Sequence, residues 1–205
     1  MSEEVHKNHK LLWIIMTIIA VFIGAGGGGG YYFYHQHQVA VAKAKLIDQE
    51  NKYDENFRTA LSDIYSSYQY AKPITDKYIS AWGYYLINGS YWSKTDNMPE
   101  LVLDVNGLFG YVKDDNKSVL QSLDDFNNNV HQDMSNLSAP PELFKSITDR
   151  LNNLYGDYQT LYSLASAPDS SGSLSSYKNQ CDEITSKIET EYNEINASIP
   201  KVPRK

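Results

Sequence analysis

Apolar positions follow two regimes along this 205-residue chain. From Leu11 to Tyr34 almost every residue is apolar, glycine or aromatic, Thr17 is the only aliphatic hydroxyl, and no formal charge occurs between Lys10 and Lys43. At about 1.5 Å per residue this stretch makes a helix roughly 36 Å long, enough to cross a hydrocarbon core of about 30 Å with some tilt. Trp13 and the cluster Tyr31, Tyr32, Phe33 and Tyr34 then fall at the two interfaces, where amphipathic rings sit. The pattern predicts a transmembrane helix over 11–34 behind a short tail, 1–10. A cleaved signal peptide competes, because Leu11 to Ile23 has h-region length and Ala25 to Gly30 offers small residues to a protease. Glu3 and Glu4 in the tail, and the aromatic run after the glycines, speak against cleavage.

The second regime is a polar body whose apolar residues step alternately by four and three, the spacing of one helix face. Phe57, Leu61, Ile64, Tyr68, Ala71, Thr75, Tyr78, Trp82 and Tyr85 form the first such seam. A helix from about Val39 to Ile87 is the economical reading, kinked near Gln69 by Pro73, with a turn at Asn88, Gly89 and Ser90. A second helix is predicted to open at Asp96 or Asn97 with Pro99 in its first turn. Its face runs through Leu101, Val105, Leu108, Val112, Val119, Leu123, Phe126, Val130, Met134 and Leu137. Gly107, Gly110 and the run Asp114, Asp115, Asn116 weaken its middle, so two shorter helices with a bend fit equally well. The third seam is Phe144, Ile147, Leu151, Leu154, Tyr158, Leu161 and Ala165. The fourth, after a Pro168 to Gly172 turn, is Leu174, Tyr177, Cys181, Ile184, Ile188, Tyr192, Ile195 and Ile199.

No β pattern of useful length stands out. The expected fold is therefore all-α: an N-terminal transmembrane helix, then an antiparallel up-down helical bundle or long helical hairpin of about four helices. The division is a membrane-proximal helical stalk at 35–56, a bundle at 57–199 and a basic tail at 200–205. The net charge of −7 lies in the body, which argues against nucleic acid as a partner. Cys181 is the single cysteine and has no intramolecular partner for a disulfide. That, with a body rich in Tyr, Asn and Ser, suits an extracytoplasmic domain that does without disulfides. The charge rule favours the N-terminus inside only weakly, since Lys7 and Lys10 face Lys43 and Lys45 across the span.

Catalytic patterns are missing. His35 and His37 point about 200° apart on a helix and read as an interfacial collar, not a metal pair. The adjacent carboxylates Asp114 with Asp115 and Asp124 with Asp125 diverge on a helix, so they read as solvated faces or caps. Asp169, Ser171 and Ser173 faintly echo a calcium loop, but Gln180 stands where the bidentate glutamate belongs. Asn88, Asn116, Asn136 and Asn196 begin Asn-x-Ser triplets, which are incidental in so Asn- and Ser-rich a chain. No cofactor, no metal and no enzyme activity are expected.

Tyrosine is the residue that invites a functional reading, with 17 copies. The stretch holding Trp82, Tyr84, Tyr85, Tyr91 and Trp92 is the densest aromatic region, at the end of the first helix farthest from the predicted membrane. Such residues offer rigid contact area at low entropic cost. The competing role is to seal the end of the bundle. In the anchor, Gly24 with Gly28 and Gly26 with Gly30 have the small-xxx-small spacing that lets two helices approach, so a homodimer is a possible assembly.

The Ser-Ala-Pro-Pro-Glu-Leu-Phe segment from Ser138, the spacing of Leu154, Tyr155 and Tyr158, and the Pro168 to Tyr177 turn resemble those of small single-pass membrane-anchored extracytoplasmic helical proteins of low-GC Gram-positive bacteria and their prophages. The resemblance implies no activity. The expectation is a non-catalytic module on the cell membrane, its C-terminal domain extracytoplasmic, that binds a protein or cell-envelope component in envelope assembly or phage exclusion. A sensor or carrier holding an apolar ligand between its helices, beside Leu108 and Val112, is the alternative. A hydrolase would need His131 in a cleft with a carboxylate and a serine.

Overall fold

In the computed structural model the backbone of residues 3–93 and 98–203 and the side chains of residues 34–92 and 101–203 are described. The chain divides into two units, Met1–Gln49 and Glu50–Lys205. All of the expected transmembrane helix at 11–34 except Tyr34, Gly24, Gly26, Gly28 and Gly30 included, lies outside the residues whose side chains are described. Among the described residues no helix is long and apolar enough to cross a membrane. In the first unit the chain is helical, and Tyr34, Val39, Val41 and Leu46 are exposed on it.

The second unit is built on the last part of α1 (Glu3–Asn88), which runs through Pro73 without interruption. A hairpin of β1 (Ser90–Ser93) and β2 (Met98–Leu101) follows, then α2 (Val105–Asp115), α3 (Lys117–Ser135), a 3-10 turn at Glu142–Phe144, α4 (Lys145–Ser166) and α5 (Leu174–Ser198). Contacts fix the directions. Tyr53 and Phe57, early in the unit, pack against Phe144, with Tyr53 and Phe144 centroids 5.1 Å apart. Trp82, near the end of α1, packs against Phe109 and Tyr177. So α1 runs one way, α2 with α3 returns as one bent leg, α4 runs back up and α5 comes down: the up-down-up-down bundle the seams predict.

Those seams are the core. Phe57, Ile64, Tyr68, Tyr78, Leu123, Val130, Leu151, Leu154, Tyr158, Leu161 and Ile188 are all buried. Burying a large apolar side chain contributes about 1.5–3 kcal/mol, so four such faces closing on one another overcome the weak helix propensity of so many Ser, Asn and Tyr residues. The core reaches back to Tyr53, inside the segment expected to be stalk.

Tyrosine hydroxyls tie one leg to the next. Tyr53 meets Thr148 Oγ1 at 2.8 Å and donates to the Leu137 carbonyl at 3.2 Å. Tyr68 donates to Glu189, Tyr162 to Asp124 at 2.8 Å, and Tyr177 to the Leu164 carbonyl at 2.9 Å. Tyr65 stacks on Tyr192 with centroids 4.0 Å apart. Burial pushes the hydroxyls of Tyr68, Tyr78, Tyr158 and Tyr177 well above the ordinary tyrosine range.

The start of the second leg differs from expectation. Residues 98–101 are a strand, not a first helical turn, and pair with β1 in antiparallel register: Ser90 opposite Leu101, Tyr91 opposite Glu100, Trp92 opposite Pro99, Ser93 opposite Met98. Adjacent aromatics favour extended backbone at 91–92, and a two-stranded hairpin has the open edge a proline requires. Leu101, expected on the core face, is 75% exposed. Helix α2 begins only after Asp104, whose Oδ1 accepts from Gly107 N–H at 2.8 Å. The bend expected near Asp114 to Asn116 is present, since Asn116 closes α2 and precedes α3.

Candidate functional site

Where α1 ends, its register decides which side chains reach the surface. Asp76, Ser80 and Tyr84 follow one another at intervals of four, as do Lys77 and Ala81 beside them, so all five share one stripe of the helix. The helix stops at Asn88, whose Nδ2 donates to the Tyr84 carbonyl at 2.9 Å. Gly89 then turns the chain at φ 65, a left-handed conformation that costs glycine nothing. Its N–H reaches the Tyr85 carbonyl at 2.8 Å. The turn sends β1 back beside the stripe and brings Tyr91 and Trp92 to it.

The result is a cleft of about 340 Å³. The α1 stripe from Asp76 to Tyr84 forms one wall, Tyr91 and Trp92 of β1 another, and Asn116 at the α2–α3 joint closes it. Lys77 Nζ donates to Asn116 Oδ1, while Asn116 Nδ2 donates to the Val112 carbonyl at 2.7 Å. Both ends of that amide are therefore held. The Tyr91 hydroxyl donates to Asp115 Oδ2 at 2.8 Å, and its ring stacks on Tyr111. Burial, reinforced by the Asp115 carboxylate, holds the Tyr91 hydroxyl protonated far above the usual range. Tyr84 and Trp92 present their rings to solvent, Trp92 at 53% exposure.

The five aromatic residues singled out in the sequence thus separate. Tyr84, Tyr91 and Trp92 line the cleft. Trp82 does not: it is 3% exposed and meets Phe109 edge-on at 5.3 Å, so it belongs to the core. Tyr85 is half-buried against that core. Asp76, Lys77, Ser80 and Asn116 were not foreseen as site residues. The only sequence signal for the first three is their spacing with Tyr84, and Asn116 stands out in the sequence only as the end of the helix-weakening run and the start of an incidental Asn-x-Ser triplet, although it is buried.

Other candidates sit apart from the cleft. Leu108 and Val112, proposed to border an apolar ligand, are closed in the core. His131 is exposed on α3 and shares a hydrogen bond with the Tyr155 hydroxyl. Asp169 accepts from the backbone and hydroxyl of Ser171, which lowers its pKa and makes it a turn residue. His35 and His37 lie exposed in the first unit. No family model, no curated protein and no solved structure matches this chain.

Proposed function

We propose that this chain is a non-catalytic, membrane-tethered recognition module, its helical domain outside the cell, that binds a cell-envelope component or envelope protein at the end of the bundle where α1 meets the hairpin. The observation that carries the reading is the concentration of exposed aromatic and apolar side chains there. Tyr84, Leu86, Ile87, Trp92, Leu101 and Leu103 are all exposed, Ile87 by 84% and Leu103 by 87%, within twenty residues of sequence. Scattered surface leucines are ordinary, but a cluster around a cleft marks a contact site. The tether rests on the sequence alone, through the uncharged stretch beginning at Leu11.

Two experiments test this. Protease treatment of intact cells should remove the domain while leaving an anchor fragment in the membrane; a domain protected until lysis would refute the external placement. Crosslinking on intact cells should capture a defined envelope component with the native chain and lose it with Trp92→Ala. Capture that is indifferent to Trp92 and Tyr84 would refute recognition through this end.

A further inference from the structure

Resting on that reading, we infer that the cleft between the α1 stripe and β1 takes a neutral sugar unit of a cell-envelope glycan. The two charges on its wall, Asp76 and Lys77, are opposite in sign, so the site favours neither an anion nor a cation. Asp76 already has a counter-ion in Lys72 at 3.1 Å, and Lys77 is engaged by Asn116. A ligand suited to this wall is uncharged and amphipathic.

The remaining chemistry narrows the class. Tyr84 and Trp92 offer exposed π faces, which carry partial negative charge and attract the weakly positive C–H face of a pyranose ring. The polar groups present both kinds of hydrogen-bond partner: a carboxylate accepts, an ammonium donates, and Ser80 and Asn116 do both. Sugar hydroxyls, each donor and acceptor at once, match such a mixture. A polyproline segment, the other frequent guest of aromatic grooves, has carbonyl acceptors and no N–H at its prolines, so it would use only the donors of this wall, whereas sugar hydroxyls use its acceptors as well. At about 340 Å³ the cleft stands at the small end of ligand pockets, room for a mono- or disaccharide unit and not for a lipid chain in full. The amide of Asn116, tied to Val112 and Lys77, is already oriented, which reduces the ordering cost of binding.

The test uses the full-length protein in lipid nanodiscs, titrated with soluble oligosaccharides of glucose, mannose and N-acetylglucosamine and with a decaproline peptide, and read by ligand-observed saturation-transfer NMR. Saturable binding of at least one oligosaccharide is expected. Trp92→Ala and Tyr84→Ala, with melting temperatures near that of the native chain, should weaken it about tenfold or more, and Leu143→Ala, exposed on the 3-10 turn at the other end of the bundle, should leave it unchanged. Absence of binding by all three oligosaccharides, or binding untouched by Trp92→Ala and Tyr84→Ala, overturns the inference. Binding of decaproline alone, dependent on Trp92, also overturns it while leaving recognition at this end intact. Loss of Trp92 dependence in the cell-surface capture is the separate failure of the underlying reading.

Discussion

Replacing each of two tryptophans by alanine separates architecture from recognition. Trp82 is 3% exposed and packs on Phe109 at 5.3 Å and Tyr177 at 6.2 Å. Its truncation removes a large buried surface and leaves a cavity bounded by rings that cannot collapse into it, a loss of about 3–5 kcal/mol. For a domain of this size each kcal/mol moves the melting temperature by about 2–4 °C, so Trp82→Ala should melt roughly 6–20 °C lower. Trp92 is 53% exposed, and truncation at such a position changes stability by about 0.5 kcal/mol or less. Its variant should melt within about 2 °C of the native protein. Thermal unfolding followed by circular dichroism at 222 nm reads both. An equal, large drop at both positions would refute the division of the aromatic cluster, since Trp92 would then be structural. An unchanged Trp82→Ala would refute the packing assigned to the end of the bundle.

Alkaline pH should unfold the domain. The hydroxyls of Tyr68, Tyr78 and Tyr158 have folded pKa values raised by burial above 10.0, so their contribution is complete below that pH and is lost above it as the unfolded chain ionises first. Each removes about 1.4 kcal/mol per pH unit in that range, and phenolate absorbance should rise together with unfolding; three tyrosines ionising in the native state would contradict this. Cys181, buried with its thiol pushed up to about 11, should resist a thiol reagent at pH 8 until urea unfolds the chain; rapid native labelling would contradict its placement. Asn116→Ala removes one hydrogen bond to Val112 and one from Lys77 and should cost about 1–3 kcal/mol in urea unfolding. Gly89→Ala, at φ 65, should cost about 1–2 kcal/mol, and no loss there would mean the turn after α1 is not left-handed.

The four helical legs were legible because seven-residue spacing leaves its imprint on every turn, and Phe144 through Ala165 are buried at each seam position. The hairpin was not. Its strands are four residues long, too short for an alternating pattern to stand out, and Pro99 satisfies the rule for a first helical turn as well as that for an open strand edge. Phe109 was missed because it adjoins the seam residue Leu108, although both are buried. The aromatic cluster was visible, yet its separation into core Trp82 and cleft Tyr84, Tyr91 and Trp92 depends on how the turn at Gly89 returns the chain. The contact between Lys77 and Asn116 spans 39 residues, a separation at which no local pattern operates.

Heptad seams are repetitive, and repetition is ambiguous: two such faces can slide by seven residues, about 10.5 Å, and still bury apolar against apolar. The tyrosine hydroxyls between the legs remove that ambiguity. A slipped pairing would separate Tyr53 from Thr148, Tyr162 from Asp124 and Tyr177 from the Leu164 carbonyl at once, and would leave the Tyr53 and Tyr177 hydroxyls without partners at buried or part-buried positions. A chain with phenylalanine at these positions would keep its hydrophobic content and lose its means of telling one alignment from the next. The tyrosines that bond from one leg to the next therefore act as an indexing system, choosing a single register from several of similar greasiness.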